Sequence, residues 1–215
     1  MNKSLRSFLV IAAILVGIST VVLFLAHKHS TTGYQEGTFV IPTSFDDVRR
    51  ILLTNDCSKE LVEMQHGSVV EQKWEDLSIG LNQFNTRKPL SSFDVDGKGY
   101  FKVVVHDPDA GDLLLHFQQE IAIRKDDLES VTKLMYPNEA LKEYVTTMKL
   151  TRDGDNTKVE LSVYLKYSRR LPVTHLKYME GRVQVSAEEG WQKVHEGLIL
   201  VIEKYKNRLF TIPLR

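Results

Sequence analysis

The segment His106-Asp107-Pro108-Asp109-Ala110-Gly111-Asp112 places one histidine and three aspartates within seven residues. Carboxylate oxygens around a turn suit a hard cation such as calcium. The EF-hand register, D-x-[DN]-x-[DN]-G with a glutamate at position twelve, is missing, so a solvated hairpin turn is the expectation here. His27 and His29 form an H-x-H pair that could grip a metal, yet no third donor lies near them in sequence, and a solvated patch is expected. His116, in an apolar run, and His195, in a helical pattern, could move protons inside a cavity. The competing reading makes both packed or surface histidines. Ser130 and Ser168 lack a nucleophile elbow. Cys57 follows Asn55 and Asp56, with Lys59 its only basic neighbour, so its thiol is not expected to be activated. These residues assign no catalytic site, no metal and no cofactor, and the expectation is that the chain is not an enzyme.

Composition narrows the remaining classes. The chain has 215 residues, with 28 basic and 28 acidic side chains. That balance lacks the basic footprint of a nucleic-acid binder. A single cysteine excludes an internal disulfide and any multi-cysteine metal site.

Residues 7–26 (SFLVIAAILVGISTVVLFLA) carry no charge. As a helix they would extend about 30 Å, enough to span a bilayer core. Lys3 and Arg6 precede the run and Lys28 follows it. The positive-inside rule then predicts a single-pass signal-anchor, with its N-terminus in the cytoplasm and the rest on the outer, periplasmic or extracellular side. The alternative is a cleaved signal peptide, whose apolar core would normally be shorter, about 7 to 15 residues. The organisation expected is a cytoplasmic tail and transmembrane anchor over 1–26, a polar tether over 27–36, and one domain over 37–215. Without Lys3 and Arg6, 26 basic residues face 28 acidic ones, and such a body does not by its net charge suggest docking on anionic lipid.

Within the domain a strand over 37–41 stops at Pro42. Ser44 caps a helix with Asp46 and Asp47 in its first turn, and Phe45, Val48, Ile51 and Leu52 fall on one face. A second helical piece follows over 58–64. Strands are expected over 99–105 and 112–123, with turns at Asp96-Gly97 and Ala110-Gly111. The pair 144–152 and 158–167 reads as a hairpin across Asp153-Gly154-Asp155-Asn156. Val159, Leu161, Val163, Leu165 and Tyr167 alternate with polar residues in its second strand. Ser186 and Glu189 read as a capping box opening a long amphipathic helix to about Leu209. Gly190 and Gly197 lie on or beside its apolar face, where each costs about 1 kcal/mol relative to alanine. Either a ligand or a close sheet backbone would use the space they leave.

Three segments carry a family resemblance: GTFVIPTSFDDVRRILL, EYVTTMKLTRDGDNTKVELSVYLKYSRRLP and SAEEGWQKVHEGLILVIEKYKNRL. With them, residues 37–209 resemble the SRPBCC superfamily, which includes START lipid-transfer domains, polyketide cyclases, ubiquinone-binding proteins and the major birch pollen allergen. The glycine-rich loop of the pollen branch is represented only by Gly97 and Gly99 in VDGKGY. The resemblance implies an α+β helix-grip fold: a curved antiparallel sheet of six to seven strands wrapped around the C-terminal helix, behind the N-terminal transmembrane helix. It also implies an apolar cavity for a lipid, quinone or polyketide. The ligand-binding residues expected are Gly190, Trp191, Val194, Gly197, Leu198 and Val201 on the helix, with Leu161, Val163 and Leu165 opposite; a filled core is the competing reading for each. Two further functions stay open on the same fold. One is a protein-interaction module, as in the Hsp90-activator branch, and the other is a cyclase or hydrolase using His116 or His195.

Overall fold

The alternation of Val159, Leu161, Val163 and Leu165 buries one face of a strand, each of these residues being 6% exposed or less. In a computed structural model, which describes residues 14–19, 21, 27–54, 57–64, 67–81, 93–107 and 111–206, that strand lies inside one antiparallel sheet. Its members among the described residues are β1 (His27–Ile41), β2 (Gly67–Leu81), β3 (Phe93–Asp107), β4 (Gly111–Ile123), β5 (Asp127–Leu134), β6 (Leu141–Asp153) and β7 (Asn156–Leu171). Their spatial order is β1-β7-β6-β5-β4-β3-β2. The helices are α1 (Phe45–Thr54), α2 (Cys57–Met64) and the long α3 (Leu176–Lys206), the last entered through a 3-10 turn at Val173–His175. This is the α+β helix-grip arrangement expected. Register shifts between Val69 and Glu71, Glu75 and Ser78, and Leu141 and Glu143 interrupt the ladders, and such bulges bend a sheet.

Several boundaries differ from the sequence reading. The stretch expected as a tether, 27–36, is the first two thirds of β1 and pairs residue by residue with β7, His27 opposite Leu171 and Glu36 opposite Ser162. Its polarity reflects where it lies: its outward positions meet solvent, and on the inward side Gly33 and Gly37 leave room for α3. A β-carbon on Gly33 would stand 2.3 Å from the Val183 carbonyl oxygen, and one on Gly37 would stand 2.6 Å from the Trp191 ring. The Asp96-Gly97 pair makes no turn; it runs within β3, opposite Ala122 and Ile121. The helix expected to open at Ser186 starts ten residues earlier, at Leu176. Met179, Val183 and Ala187 carry the buried stripe back to that point. Ser186 is therefore mid-helix, donating its hydroxyl to the Arg182 carbonyl at 3.0 Å.

Among the described residues no helix is long and apolar enough to cross a membrane. The expected transmembrane helix is thus not shown. Residues 14–19 and 21 are helical, with Ile14, Leu15, Val16, Ile18 and Val21 each more than half exposed, and the rest of the 7–26 span lies outside the described residues.

Buried side chains gather in two clusters. Phe45, Val48 and Ile51 of α1 meet Leu150, Val159, Leu198 and Val201 at one end, while Leu115, Leu165, Met179 and Val183 meet at the other. Ser44 caps α1 as expected, accepting the Asp47 N–H at 3.3 Å. Arg152 pins α1 to the sheet: its guanidinium reaches Asp46 at 2.9 Å and Asp126 at 3.1 Å, and lies 5.4 Å from the Phe45 ring centre. Its hydrogen bond to Asp46 raises its pKa. Because the side chain is about a third exposed, Arg152→Met should lower unfolding stability by only about 1 kcal/mol, and most of that difference should vanish at high salt in urea titrations.

Candidate functional site

Inward side chains of β3 to β6 are mostly apolar, yet α3 packs chiefly on β1 and β7. The rest of the inner face looks onto open volume. Two adjoining chambers occupy it. The first, about 340 Å3, lies beneath α1 and α2 and is walled by Leu52, Cys57, Trp74, Ile121 and Leu128 among others. The second, about 380 Å3, runs under α3 and is walled by Val103, Phe117, Tyr144, Leu165 and Val194. Leu61, Gln119, Ser130 and Met148 border both, so these four mark where the chambers meet. Each volume suits a small-molecule site, which is typically apolar with few polar groups.

Those polar groups form a row. Gln119 of β4 sits opposite Thr132 of β5, which sits opposite Thr146 of β6. Gln119 also donates its side-chain N–H to the Ser130 hydroxyl at 2.8 Å. Ser130 is 5% exposed, and its own O–H remains to be donated. The belt therefore offers hydrogen bonds midway along an apolar trough. Beside it, the Tyr144 phenol packs edge-on against Phe117, ring centres 5.4 Å apart. Burial pushes that phenol above its ordinary value, an effect the neighbouring Thr146 hydroxyl partly offsets. Ser186, Glu189 and Lys193 of α3 edge the second chamber.

A raised folded-state tyrosine pKa contributes stability that is complete below the unfolded value, near 10, and is lost as pH rises toward the folded value. Unfolding stability should fall more steeply above pH ~10 in the wild type than in Tyr144→Phe. Parallel slopes in alkaline denaturant titrations would remove Tyr144 from that role.

Of the nine residues expected to bind ligand, Gly190, Val194 and Leu165 line the second chamber. The others lie elsewhere. Leu161, Val163, Gly197, Leu198 and Val201 are buried, and none of them lines either chamber. Trp191 donates its indole N–H to the Leu161 carbonyl at 3.0 Å and packs against Phe39 and His195. The physical reason is the roll of α3: its 183, 187 and 191 edge sits on β1, so the 190 and 194 edge faces the trough.

The polar belt escaped the sequence reading, although its signal is present. Gln119 stands between Phe117 and Ile121 at an inward position of an apolar alternation, and Thr146 stands between Tyr144 and Met148. His116 and His195 do not line either chamber: the first lies against Tyr136, the second 4.1 Å from the Phe39 ring centre. Cys57 is buried in the first chamber's wall. Much of the His106–Asp112 segment lies outside the described side chains. Among the described residues no three His, Cys, Asp or Glu come together to hold a metal ion.

No family model matches the chain, and no curated protein matches it. Solved structures do resemble it. A Staphylococcus aureus protein of unknown function gives a TM-score of 0.50 at 12% identity, over 83% of this chain and 98% of that one. The two share a fold. The Zhui aromatase/cyclase from a Streptomyces species gives 0.49 at 9% identity, covering 84% of this chain and 99% of its own. A START superfamily protein from Mycobacterium smegmatis gives 0.42 at 10%, covering 80% and 97%. At these identities the likeness is one of fold. The expectation that the chain is not an enzyme is corrected by these neighbours, since proteins named as aromatase/cyclases stand among them.

Proposed function

We propose that this protein binds or carries a hydrophobic small molecule of the lipid, quinone or polyketide class, and that residues 7–26 tether it to a membrane with the domain on the outer side. The observation that carries the ligand reading is the two-chamber apolar trough crossed by Gln119, Thr132 and Thr146, with Ser130 beside them. Apolar walls hold a ligand through area removed from water, at roughly 25 cal/mol per Å2. The belt adds a preference for one hydroxyl or carbonyl group partway along an otherwise apolar molecule, because a hydrocarbon would leave the O–H of Ser130, a residue only 5% exposed, without an acceptor. Tethering keeps such a pocket near lipid at high effective concentration.

Native mass spectrometry of protein extracted in mild detergent tests the ligand reading: a co-purifying apolar molecule bearing an oxygen function is expected. Delipidated protein that takes up no quinone, sterol or fatty acyl probe overturns it. Protease protection in membrane vesicles tests the tether and its direction. A second reading, chemistry performed within the trough, is favoured by Tyr144. Its phenol O–H, whose pKa burial raises further above its ordinary value, can donate a hydrogen bond to a developing oxyanion.

A further inference from the structure

One end of the sheet is marked by unpaired positive charge. At that end β1 begins opposite the close of β7, with Lys28 across from Arg170 and His29 across from Arg169. The chain then passes through Pro172 and the 3-10 turn into α3, adding Lys177. Lys28, Arg169, Arg170 and Lys177 are all exposed, and none forms an ion pair among the described residues. Elsewhere on the sheet many lysines and arginines are answered, such as Lys158 by Glu160 and Lys166 by Glu143. Glu180, three residues along α3 from Lys177, is an exposed acid beside these cations, and exposed Asp112 at the start of β4 lies at the same end of the sheet, three strands from β7. Between the cations stand two large side chains in water, Val173 at 63% and Tyr178 at 70% exposure. The first turn of α3 holds no acidic residue to answer its dipole.

Net charge conceals this arrangement. Cations interleaved with an exposed aliphatic and an exposed aromatic residue match a bilayer surface carrying anionic headgroups, where lysine and arginine meet phosphate and tyrosine sits at headgroup depth. The location agrees: His27, the first residue of β1, follows directly in sequence on the apolar run 7–26. We propose that this end of the domain, formed by Lys28, Arg169, Arg170, Val173, Lys177 and Tyr178, docks on an anionic bilayer surface. Docking fixes the orientation of the domain, laying the start of α3 along the membrane. The inference is independent of what the trough binds, and it goes further than the tether by assigning a lipid charge preference.

The full chain carrying Tyr178→Cys, labelled there with an environment-sensitive nitrobenzoxadiazole dye, tests it, because the native Cys57 is 4% exposed and escapes labelling in the folded protein. The protein is reconstituted from detergent with phosphatidylcholine vesicles, or with vesicles containing about one third phosphatidylglycerol. Docking predicts blue-shifted, severalfold brighter emission with the anionic vesicles only, reversed at ~0.5 M salt. Lys28→Gln, Arg169→Gln, Arg170→Gln and Lys177→Gln together should weaken the response about tenfold or more. Should that combination fold poorly, the salt reversal in the otherwise unaltered protein still decides. Flotation separates the two membrane claims. Protein that floats with both vesicles while the dye stays unchanged overturns docking and leaves the tether standing, with an acidic protein surface as the occupant to seek. Protein that floats only with anionic vesicles and brightens supports docking and overturns the tether.

Discussion

Gly190→Leu should leave the fold intact and weaken uptake of a fluorescent fatty acyl or quinone probe about 100-fold. A β-carbon at Gly190 would meet Val163 at 3.6 Å, an ordinary van der Waals contact, so the backbone accepts a side chain. Leucine is also the better helix former by about 0.8–1 kcal/mol. Its remaining carbons must go where Gly190 already looks, into the second chamber. A ligand would then withdraw some three to four methylene equivalents from that space, at about 0.8 kcal/mol each, which brackets the expected factor between roughly 50- and 200-fold. Unchanged affinity in a titration of delipidated protein would mean that the ligand does not use this chamber.

Gly33→Ala should have the largest effect on stability, about 3 kcal/mol. The added carbon would press on the Val183 carbonyl at 2.3 Å and its carbon at 2.8 Å. Both are backbone atoms of α3, and no rotamer can move them. The helix must lift from β1, disturbing the Trp191 hydrogen bond and the packing of Ala187. For a chain of this size the midpoint of thermal unfolding should drop by roughly 6 to 12 °C. Gly181→Ala is the control on the same helix. Nothing lies within 4 Å of its added carbon, and it should stabilise by about 1 kcal/mol. Similar midpoints for the two variants would contradict the close seat of α3 on β1.

Local periodicity made some of this fold legible. The inward positions of β7 announce themselves because one face is buried along the whole strand, and Gly154, at φ 59°, fixes the turn before it. Ser44 and the two aspartates announce α1 for similarly local reasons. The beginning of β1 did not announce itself, since what makes 27–36 a strand is β7, more than a hundred residues away. The start of α3 was masked by Ser186 and Glu189, which imitate a helix entrance inside a helix. At the site, an apolar stripe at helical spacing cannot say which of its edges meets the sheet and which meets empty space. Gly190 and Val194 were thus grouped with Leu198 and Val201, although only the first two face the trough. Gln119, Thr132 and Thr146 went unread because each is unremarkable alone and becomes a belt only once strand register aligns them.

The pairing of the earliest strand with the latest one governs how the polypeptide matures at the ribosome. Ile41 is made well before Asn156, where its partner strand opens. At about 5–20 residues per second, the leading ribbon waits on the order of ten seconds without a neighbour. During that interval its amide edge is open to wrong partners. Closure of the sheet is consequently a late, slow, long-range event, and a chaperone that shields the nascent leading ribbon should raise the native yield more than one that acts after release.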